Sequence, residues 1–305
     1  MFPENIGPNM SIDETSLSNG ELYTFLSNKD AHCKQGSIAA YVKGTKIKDI
    51  VEAIMRIPED IRSKVKEVTM DLSESMRASI EACFPNACRV VDRFHVQQEV
   101  CAGLNEIRMI AKRKERKLDL KSRKKHKNTL QQRLRRRKKD KTDPRGRKPK
   151  RLNEAYIPEK LKNGETPTEA LTRCRYSLNR PGNCWTEMQK ERIGILFERH
   201  PDLNTAYSLT HSLRMIFSNS NADVISGIQS LKDWYDKVEE WNNEIFNVIA
   251  GTIKARQEEI LNDFINRATN AGAESLNSKI KQFRAQLRGV ADIKFFLFRL
   301  TKLFA

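Results

Sequence analysis

The chain has few apolar residues and no long apolar run: only 38% of its 305 residues are hydrophobic. No run approaches the roughly 20 apolar residues of a membrane span, and the N-terminus, MFPENIGPNM, lacks the charged head and apolar stretch of a signal peptide. Its six cysteines include no C-x2-C pair, a spacing that suits neither a zinc knuckle nor a disulfide scaffold. These absences predict a cytoplasmic protein with reduced, structural thiols.

Positive charge is what the chain has in excess, and it is concentrated in one segment. The formal net charge is +17, from 56 Lys and Arg against 39 Asp and Glu. Between Arg108 and Arg151 there are 23 bases and four acids, which leaves 33 bases and 35 acids elsewhere. The segment is therefore either a solvated, self-repelling linker or an arm that neutralises nucleic-acid phosphates without reading bases.

Helix-breaking residues, Pro and Gly, divide this basic segment in two. Its first part, up to Lys141, has few breakers and is compatible with a helix, whereas TDPRGRKPKRL carries Pro and Gly and predicts a loop.

The residues before the basic segment alternate between strand and helix patterns. Three strand patterns, NMSIDETS, GELYTFLSN and SIAAYVKG, precede a helical period in TKIKDIVEAIM. Strand VKEVTMDLS, helix ESMRASIEACF with Ser73 as its cap, strand ACRVVD and a long helix from Phe94 follow. This order predicts an α/β fold with a ribonuclease H-like core, a mixed sheet flanked by helices and interrupted by a long, mainly helical insertion.

The same patterns predict four parts in the chain. Residues 1–107 form the first part of the core, 108–165 the basic arm, 166–267 the helical insertion, and 268–305 the C-terminal core helices.

Two acids in the α/β part lie in or directly after predicted strands, where a carboxylate calls for a specific structural or functional explanation. Asp13 follows the strand residue Ile12, and Asp71 ends a strand rich in Val and Met. An acid buried there without a partner costs several kcal/mol, so it is exposed, hydrogen-bonded or holding a hard cation such as Mg²⁺. For each acid alone a plain cap or turn role is the commoner one, and Asp92, at the end of the next strand, has the same ambiguity.

Three blocks of the sequence resemble a known family. The stretch VTMDLSESMRASIEACFPNACRVVDRFHV closely resembles the strand–helix–strand signature of DDE transposases of the ISL-three insertion-sequence family. IDETS is similar to that family's first block, an Asp-Glu pair at the end of the first strand, and AESLNSKIKQFRAQLRG to its third. The resemblance covers most of residues 10–110 and 265–300.

The resemblance implies a metal-dependent enzyme of DNA transposition. Asp13, Asp71 and Glu274 would be its catalytic carboxylates and would hold Mg²⁺, with Mn²⁺ as a substitute, for DNA strand cleavage and strand transfer at insertion-sequence ends. Two alternatives remain: a nuclease of the same fold without strand transfer, and an inactive or regulatory basic DNA-binding remnant.

The expected DNA contacts lie near the acids and in the basic segment. The candidates are Arg93, His95, Lys279, Lys281, Arg284, Arg288, Arg135, Arg136, Arg137, Lys138 and Lys139. Asp92, Arg93 and His95 match a motif of the family but are not expected to be catalytic.

The resemblance also implies partners. These are transposon-end and target DNA, a DNA-assembled homodimer and a bacterial, nucleoid-associated location. Because no Cys cluster or recognition helix precedes Asp13, end recognition is expected to come from a separately encoded protein, unless the chain is truncated or split.

A helical wheel of the last block places Glu274 away from the core. Leu276, Ile280, Phe283 and Leu287 form one apolar stripe, and Glu274 falls nearly opposite its centre, with Asn277 among the polar positions. Periodicity alone therefore predicts a solvated acid, and the metal-holding role rests on the resemblance.

Overall fold

The computed structural model describes residues 1–18, 21–139, 154–219, 221–266, 271–287 and 292–305. The chain folds into two compact units, one of residues 1–99 and 213–305 and one of residues 100–212. The four-part division inferred from the sequence stays a prediction.

The first unit contains a five-stranded mixed sheet. Its strands are β1 (Asn9–Ser18), β2 (Glu21–Asn28), β3 (Ile38–Lys43), β4 (Glu67–Met70) and β5 (Cys88–Val91). Their order is β3-β2-β1-β4-β5, antiparallel from β3 to β1 and parallel from β1 to β5. The predicted α/β architecture, a ribonuclease H-like core with a helical insertion, is confirmed.

Helices make up most of the remaining described chain. In chain order they are α1 (Ile47–Ile54), α2 (Glu59–Arg62), α3 (Glu74–Cys83), α4 (Arg93–Lys139), α5 (Pro167–Arg173), α6 (Arg175–Leu178), α7 (Glu187–Arg199), α8 (Pro201–Ser218), α9 (Val224–Trp241), α10 (Glu244–Ala255), α11 (Gln257–Leu261), α12 (Asp263–Asn266), α13 (Ala271–Gln286) and α14 (Ile293–Phe304). Within these described helices, none has the length and apolar content needed to cross a membrane.

A hydrophobic cluster fixes the two C-terminal helices to the sheet. Successive side chains of a strand point to opposite faces, so alternate residues of β1 and β2 can pack against the same helices. The cluster contains Leu17, Tyr23, Phe25, Cys33, Ile38, Leu276, Ile280, Phe296, Leu297 and Leu300. The predicted stripe of α13 is thus confirmed for Leu276 and Ile280, and Phe283 packs against the cluster, whereas Leu287 lies beyond the helix and is exposed.

The segment after β4 differs from the sequence prediction in its cap. Ser73 occupies the N-cap position of α3, but its side chain makes no capping hydrogen bond. Its hydroxyl instead pairs with the Ser75 hydroxyl at 2.7 Å, and its backbone N–H donates to Asp71 Oδ1 at 2.7 Å. The side chain that organises this turn is therefore Asp71.

The second unit contains most of α4 together with α5, α6, α7 and most of α8. The first part of the basic segment is helical as far as Lys139, as its composition suggested. The predicted loop TDPRGRKPKRL lies outside the described residues. Buried acids hold this unit together: Glu115 accepts from Arg199 at 2.7 Å, and Glu165 pairs with Arg192 at 2.7 Å.

Candidate active site

The parallel strands bring three aspartates to the same end of the sheet. The last β1–β4 pair is Ser11 with Thr69, and Asp13 and Asp71 each lie two residues farther along their strands. The last β4–β5 pair is Met70 with Val91, and the next residue of each strand is Asp71 and Asp92. Parallel pairing therefore sets these acids level with one another, although they are far apart in sequence.

Asp13 does not end its strand, contrary to what the resemblance to the family's first block implied, although the strand pattern NMSIDETS already continued past it. β1 continues to Ser18, because its second half still pairs with β2, and Asp13 lies opposite Phe25 in that ladder. What ends near Asp13 is the pairing with β4. Asp13 is therefore paired with β2 on one side, while on the other side it lies beyond the last β1–β4 pair.

Asp71 follows β4 directly, and the turn after it is hydrogen-bonded to an arginine that no sequence pattern singles out. The turn after Asp71 carries Ser73, whose carbonyl accepts from Arg256 Nη2 at 3.1 Å. Arg256 Nη1 also donates to Glu74 Oε2 at 2.9 Å, and Arg256 itself is buried. Because Arg256 lies in the helical part of the chain, no local pattern links it to this turn.

Glu274 lies in the first turn of α13, the helix that packs on β1. Leu276 and Ile280 are buried in the core, and Glu274 is exposed, as the helical wheel predicted. Its charge is nevertheless near enough to act on Asp13, as the pKa of that aspartate shows.

The pKa of Asp13 is raised, first by burial and then by the negative charges of Asp71 and Glu274. The backbone N–H of Glu14, which donates to Asp13 Oδ1 at 2.7 Å, and nearby His95 oppose this shift. Neighbouring like charges favour the protonated acid because they repel its ionised form. Asp71 and Glu274 thus both lie within electrostatic reach of Asp13.

Glu14 adds a fourth acid to this cluster. Burial raises its pKa, and the charges of Asp71 and Asp13 raise it further. The sequence pattern showed Glu14 only as the partner of Asp13 in an Asp-Glu pair, and assigned it no role.

Asn277 is a site residue that sequence reasoning missed. Its Nδ2 donates to Asp13 Oδ2 at 2.7 Å, and its Oδ1 accepts from the Thr15 hydroxyl. The helical wheel placed Asn277 among polar positions, yet it is buried. The signal in the sequence was its place in the third block, where an Asn follows the Glu by three residues, a spacing that puts both on one side of a helix.

The residues that follow β5 have separate structural roles. Asp92 is buried, and its Oδ1 accepts from the Phe94 N–H at 3.1 Å, which caps the start of α4. Arg93 donates to the carbonyl of Phe217 at 3.1 Å. His95 is the one of the three that acts on Asp13, because its charge lowers the pKa of that acid.

The predicted DNA-binding bases are partly engaged by the protein itself. Lys279 donates to the Cys33 carbonyl at 2.9 Å and Arg284 to the Ser16 carbonyl at 3.5 Å, whereas Lys281 is exposed. Arg135 and Arg136 are exposed on α4, in the other unit. Arg288 and the side chains of Arg137, Lys138 and Lys139 lie outside the described part of the chain.

The donor chemistry at this end of the sheet fits Mg²⁺. All the acids offer hard oxygen donors, and a cation would offset both the burial and the like-charge repulsion that raise the pKa of Asp13 and of Glu14. Among the described residues, no group of three or more His, Cys, Asp or Glu side chains is arranged to hold a metal ion. Mg²⁺ does not require a complete cage of protein ligands, because waters and substrate phosphates commonly complete its coordination.

Comparison with known proteins identifies the family of the chain. The family model for DDE transposases of the ISL-three type, described as "Transposase", matches residues 10–300. No curated protein and no solved structure matches the chain. The match spans nearly the whole chain and includes the strands and helices that carry all three carboxylates. The chain therefore belongs to the ISL-three family of DDE transposases, whose members act on DNA.

Proposed function

We propose that this chain cleaves DNA strands at insertion-sequence ends and joins them to target DNA, with Asp13, Asp71 and Glu274 holding Mg²⁺. Mn²⁺ is expected to substitute for Mg²⁺. The observation that carries the proposal is the placement of the three acids: the parallel register sets Asp13 level with Asp71, and α13, which carries Glu274, packs on β1. Next to burial, the charges of Asp71 and Glu274 raise the pKa of Asp13. Such a concentration of like charge at a sheet end is costly without a cation and useful with one.

The chemistry follows from the types of side chain present. Bound Mg²⁺ would polarise the scissile phosphate and activate the attacking oxygen, which is water in cleavage and a DNA 3′-hydroxyl in strand transfer. Asp13 supplies negative charge from β1, Asp71 from the turn directly after β4, and Glu274 from a helix packed on β1. The exposure of Glu274 leaves room for a DNA phosphate to approach.

Basic side chains support DNA as the substrate. Lys281 is exposed on the helix that carries Glu274, and α4 presents Arg135 and Arg136 to solvent in the second unit. Such contacts supply affinity that depends on salt but little on sequence. From the family membership we also propose a separately encoded protein for end recognition, a homodimer assembled on DNA to hold two ends, and a location at the bacterial nucleoid.

The direct test is a cleavage and joining assay with Mg²⁺ or Mn²⁺ on DNA that carries the element's terminal repeats. Asp71→Asn and Glu274→Gln remove one charge each with little change in shape. Each variant is expected to cleave DNA at least about 100-fold more slowly than the wild type. DNA binding should be retained in both. Asp49→Asn, at an exposed position on α1, is the matched control and should cleave at the wild-type rate.

The outcomes separate the alternatives that share this fold. Joined products single out transposition, whereas cleavage without joining identifies a nuclease. If the wild type binds DNA but never cleaves it, even with the end-recognition protein supplied, the chain is a DNA-binding remnant and the proposal is wrong.

A further inference from the structure

Asn277 connects the last core helices to the first strand through both ends of its amide. Nδ2 donates to Asp13 Oδ2 at 2.7 Å, and Oδ1 accepts from the Thr15 hydroxyl. Asn277 is 9% exposed and Thr15 is 2% exposed. A buried amide whose donor and acceptor ends both find side-chain partners is specifically placed, since unpaired polar groups are costly in such a site.

The three side chains can be hydrogen-bonded in one consistent direction. An ionised Asp13 carboxylate only accepts hydrogen bonds, so the NH₂ group of Asn277 must face it. The amide oxygen then faces Thr15, whose hydroxyl must donate to it. Thr15 therefore fixes which end of the amide points at Asp13.

The backbone around Asn277 is rigidly supported. Leu276, its neighbour, and Ile280, three residues on, are buried in the cluster that also contains Leu17 of β1. Glu274 lies one turn before Asn277 on the same helix, so the two share a side of α13. A shift of the amide relative to Asp13 would thus also shift Glu274 relative to Asp13.

We propose that Asn277 is a positioning residue of the metal site, a role that rests on the function proposed above. It holds Asp13 Oδ2 while the Glu14 N–H holds Oδ1 at 2.7 Å, which fixes the rotation of the carboxylate. Each oxygen accepts one hydrogen bond here and keeps a second lone pair for a cation. The same contact sets the separation between the strand that carries Asp13 and the helix that carries Glu274.

The test uses the full chain, with Mn²⁺ binding followed by the electron paramagnetic resonance signal of free Mn²⁺. Asn277→Leu keeps the size of the side chain and removes both hydrogen bonds. We expect its affinity for Mn²⁺ to fall about 10- to 100-fold, the usual loss when a group that orients a metal ligand is removed. Thr15→Val should shift the affinity in the same direction by less, and Thr15→Ser, which keeps the hydroxyl, should restore it.

Ser278→Ala is the matched control, because Ser278 is the next residue on α13 and is exposed. Thermal unfolding of each variant separates positioning from packing. A purely structural Asn277 would give a lower unfolding temperature with an unchanged affinity for Mn²⁺, and that result would overturn the proposal. If Asn277→Leu does not fold, Thr15→Val decides: wild-type affinity for Mn²⁺ in that variant contradicts the proposal equally.

The failure of this proposal can be told from the failure of the proposed function. A wild type that binds Mn²⁺ but does not cleave end DNA contradicts the function, while the affinities of the variants still judge Asn277. A wild type that cleaves, together with an Asn277→Leu variant of unchanged Mn²⁺ affinity and unchanged metal dependence of cleavage, contradicts only the role of Asn277. A wild type without affinity for Mn²⁺ contradicts both.

Discussion

At the scale of single residues, the aspartates that end neighbouring strands have different surroundings. Asp71 accepts one backbone N–H in a turn next to the acid cluster, and its charge raises the pKa of both Asp13 and Glu14. Asp92 is 3% exposed and accepts the Phe94 N–H at the start of α4. Similar positions at the sheet end therefore give one acid that acts on the cluster and one that caps a helix.

Substitution of Asp92 tests this distinction. Asn caps helices about as well as Asp, so Asp92→Asn should keep both stability and DNA cleavage. Asp92→Ala removes the cap and should lower the free energy of unfolding by about 1 kcal/mol. Urea unfolding and the cleavage assay measure the two effects. Loss of cleavage in a fully folded Asp92→Asn variant would show that Asp92 is part of the metal site.

At the scale of elements, one buried acid ties together the helices of the second unit. Glu165, which precedes α5, accepts from both Arg192 Nε at 2.7 Å and Arg192 Nη2 at 2.8 Å, and from Arg173 Nη1 at 2.6 Å. These partners lie on α7 and α5, and the Arg192 side chain is only 12% exposed. The pKa of Glu165 is lowered from its usual 4.5 to about 2, mainly by the hydrogen bonds from Arg192 and to a smaller extent by the one from Arg173.

Glu165→Gln should therefore destabilise the second unit in a way that depends on pH. Removal of the charge leaves Arg192 buried without its partner, so the free energy of unfolding should fall by about 3 kcal/mol at pH 7. Because the pKa of Glu165 is lower in the folded state than in the unfolded state, its ionised form stabilises the fold fully above pH 4.5. This contribution is lost as the pH falls through about 2. The difference between wild type and variant should thus shrink between these two pH values.

Urea unfolding at several pH values measures that difference, and hydrogen exchange of α5 and α7 locates it. Glu198→Gln is the control, because Glu198 pairs with Lys162 at 3.8 Å on an exposed surface. Such pairs contribute about 0–1 kcal/mol. Equal effects of the two variants at pH 7 would contradict the role given to Glu165.

At the scale of the whole molecule, charge is distributed very unevenly along the chain. Residues 108–151 contain 23 of the 56 bases and four of the 39 acids, and the described part of that segment continues the helix α4 to Lys139. The carboxylates of the candidate active site belong to the other unit. The exposed bases of α4 and the acids proposed for catalysis thus belong to different units of the chain.

Substitution of the exposed arginines of α4 is therefore predicted to change the salt dependence of DNA binding. Each phosphate contact adds about 0.9 to the slope of log K against log salt concentration. The double variant Arg135→Gln, Arg136→Gln should reduce the steepness of that slope by up to about 2, without removing cleavage at low salt. Titrations of a DNA duplex at several salt concentrations measure it.

A matched pair of substitutions controls for net charge alone. Lys48→Gln with Arg56→Gln also removes two exposed positive charges, from α1 and the residues just after it. The steepness of the slope should change little in this variant. The same reduction in both double variants would mean that general charge, not a phosphate contact of α4, sets the salt dependence.

The sequence by itself determined the parts of this protein: the strand and helix patterns, the basic segment, the apolar stripe of α13 and the three motif blocks that match the family. These features are local, because they depend on side-chain period and on residue types close together in the chain. Only the tertiary structure decided which residues meet. The parallel register of β1 and β4 sets Asp13 level with Asp71, and the packing of α13 on β1 brings Asn277 to Asp13, although 264 positions separate them. No local period encodes such a contact, since it arises only when the strand and the helix bury their apolar faces together.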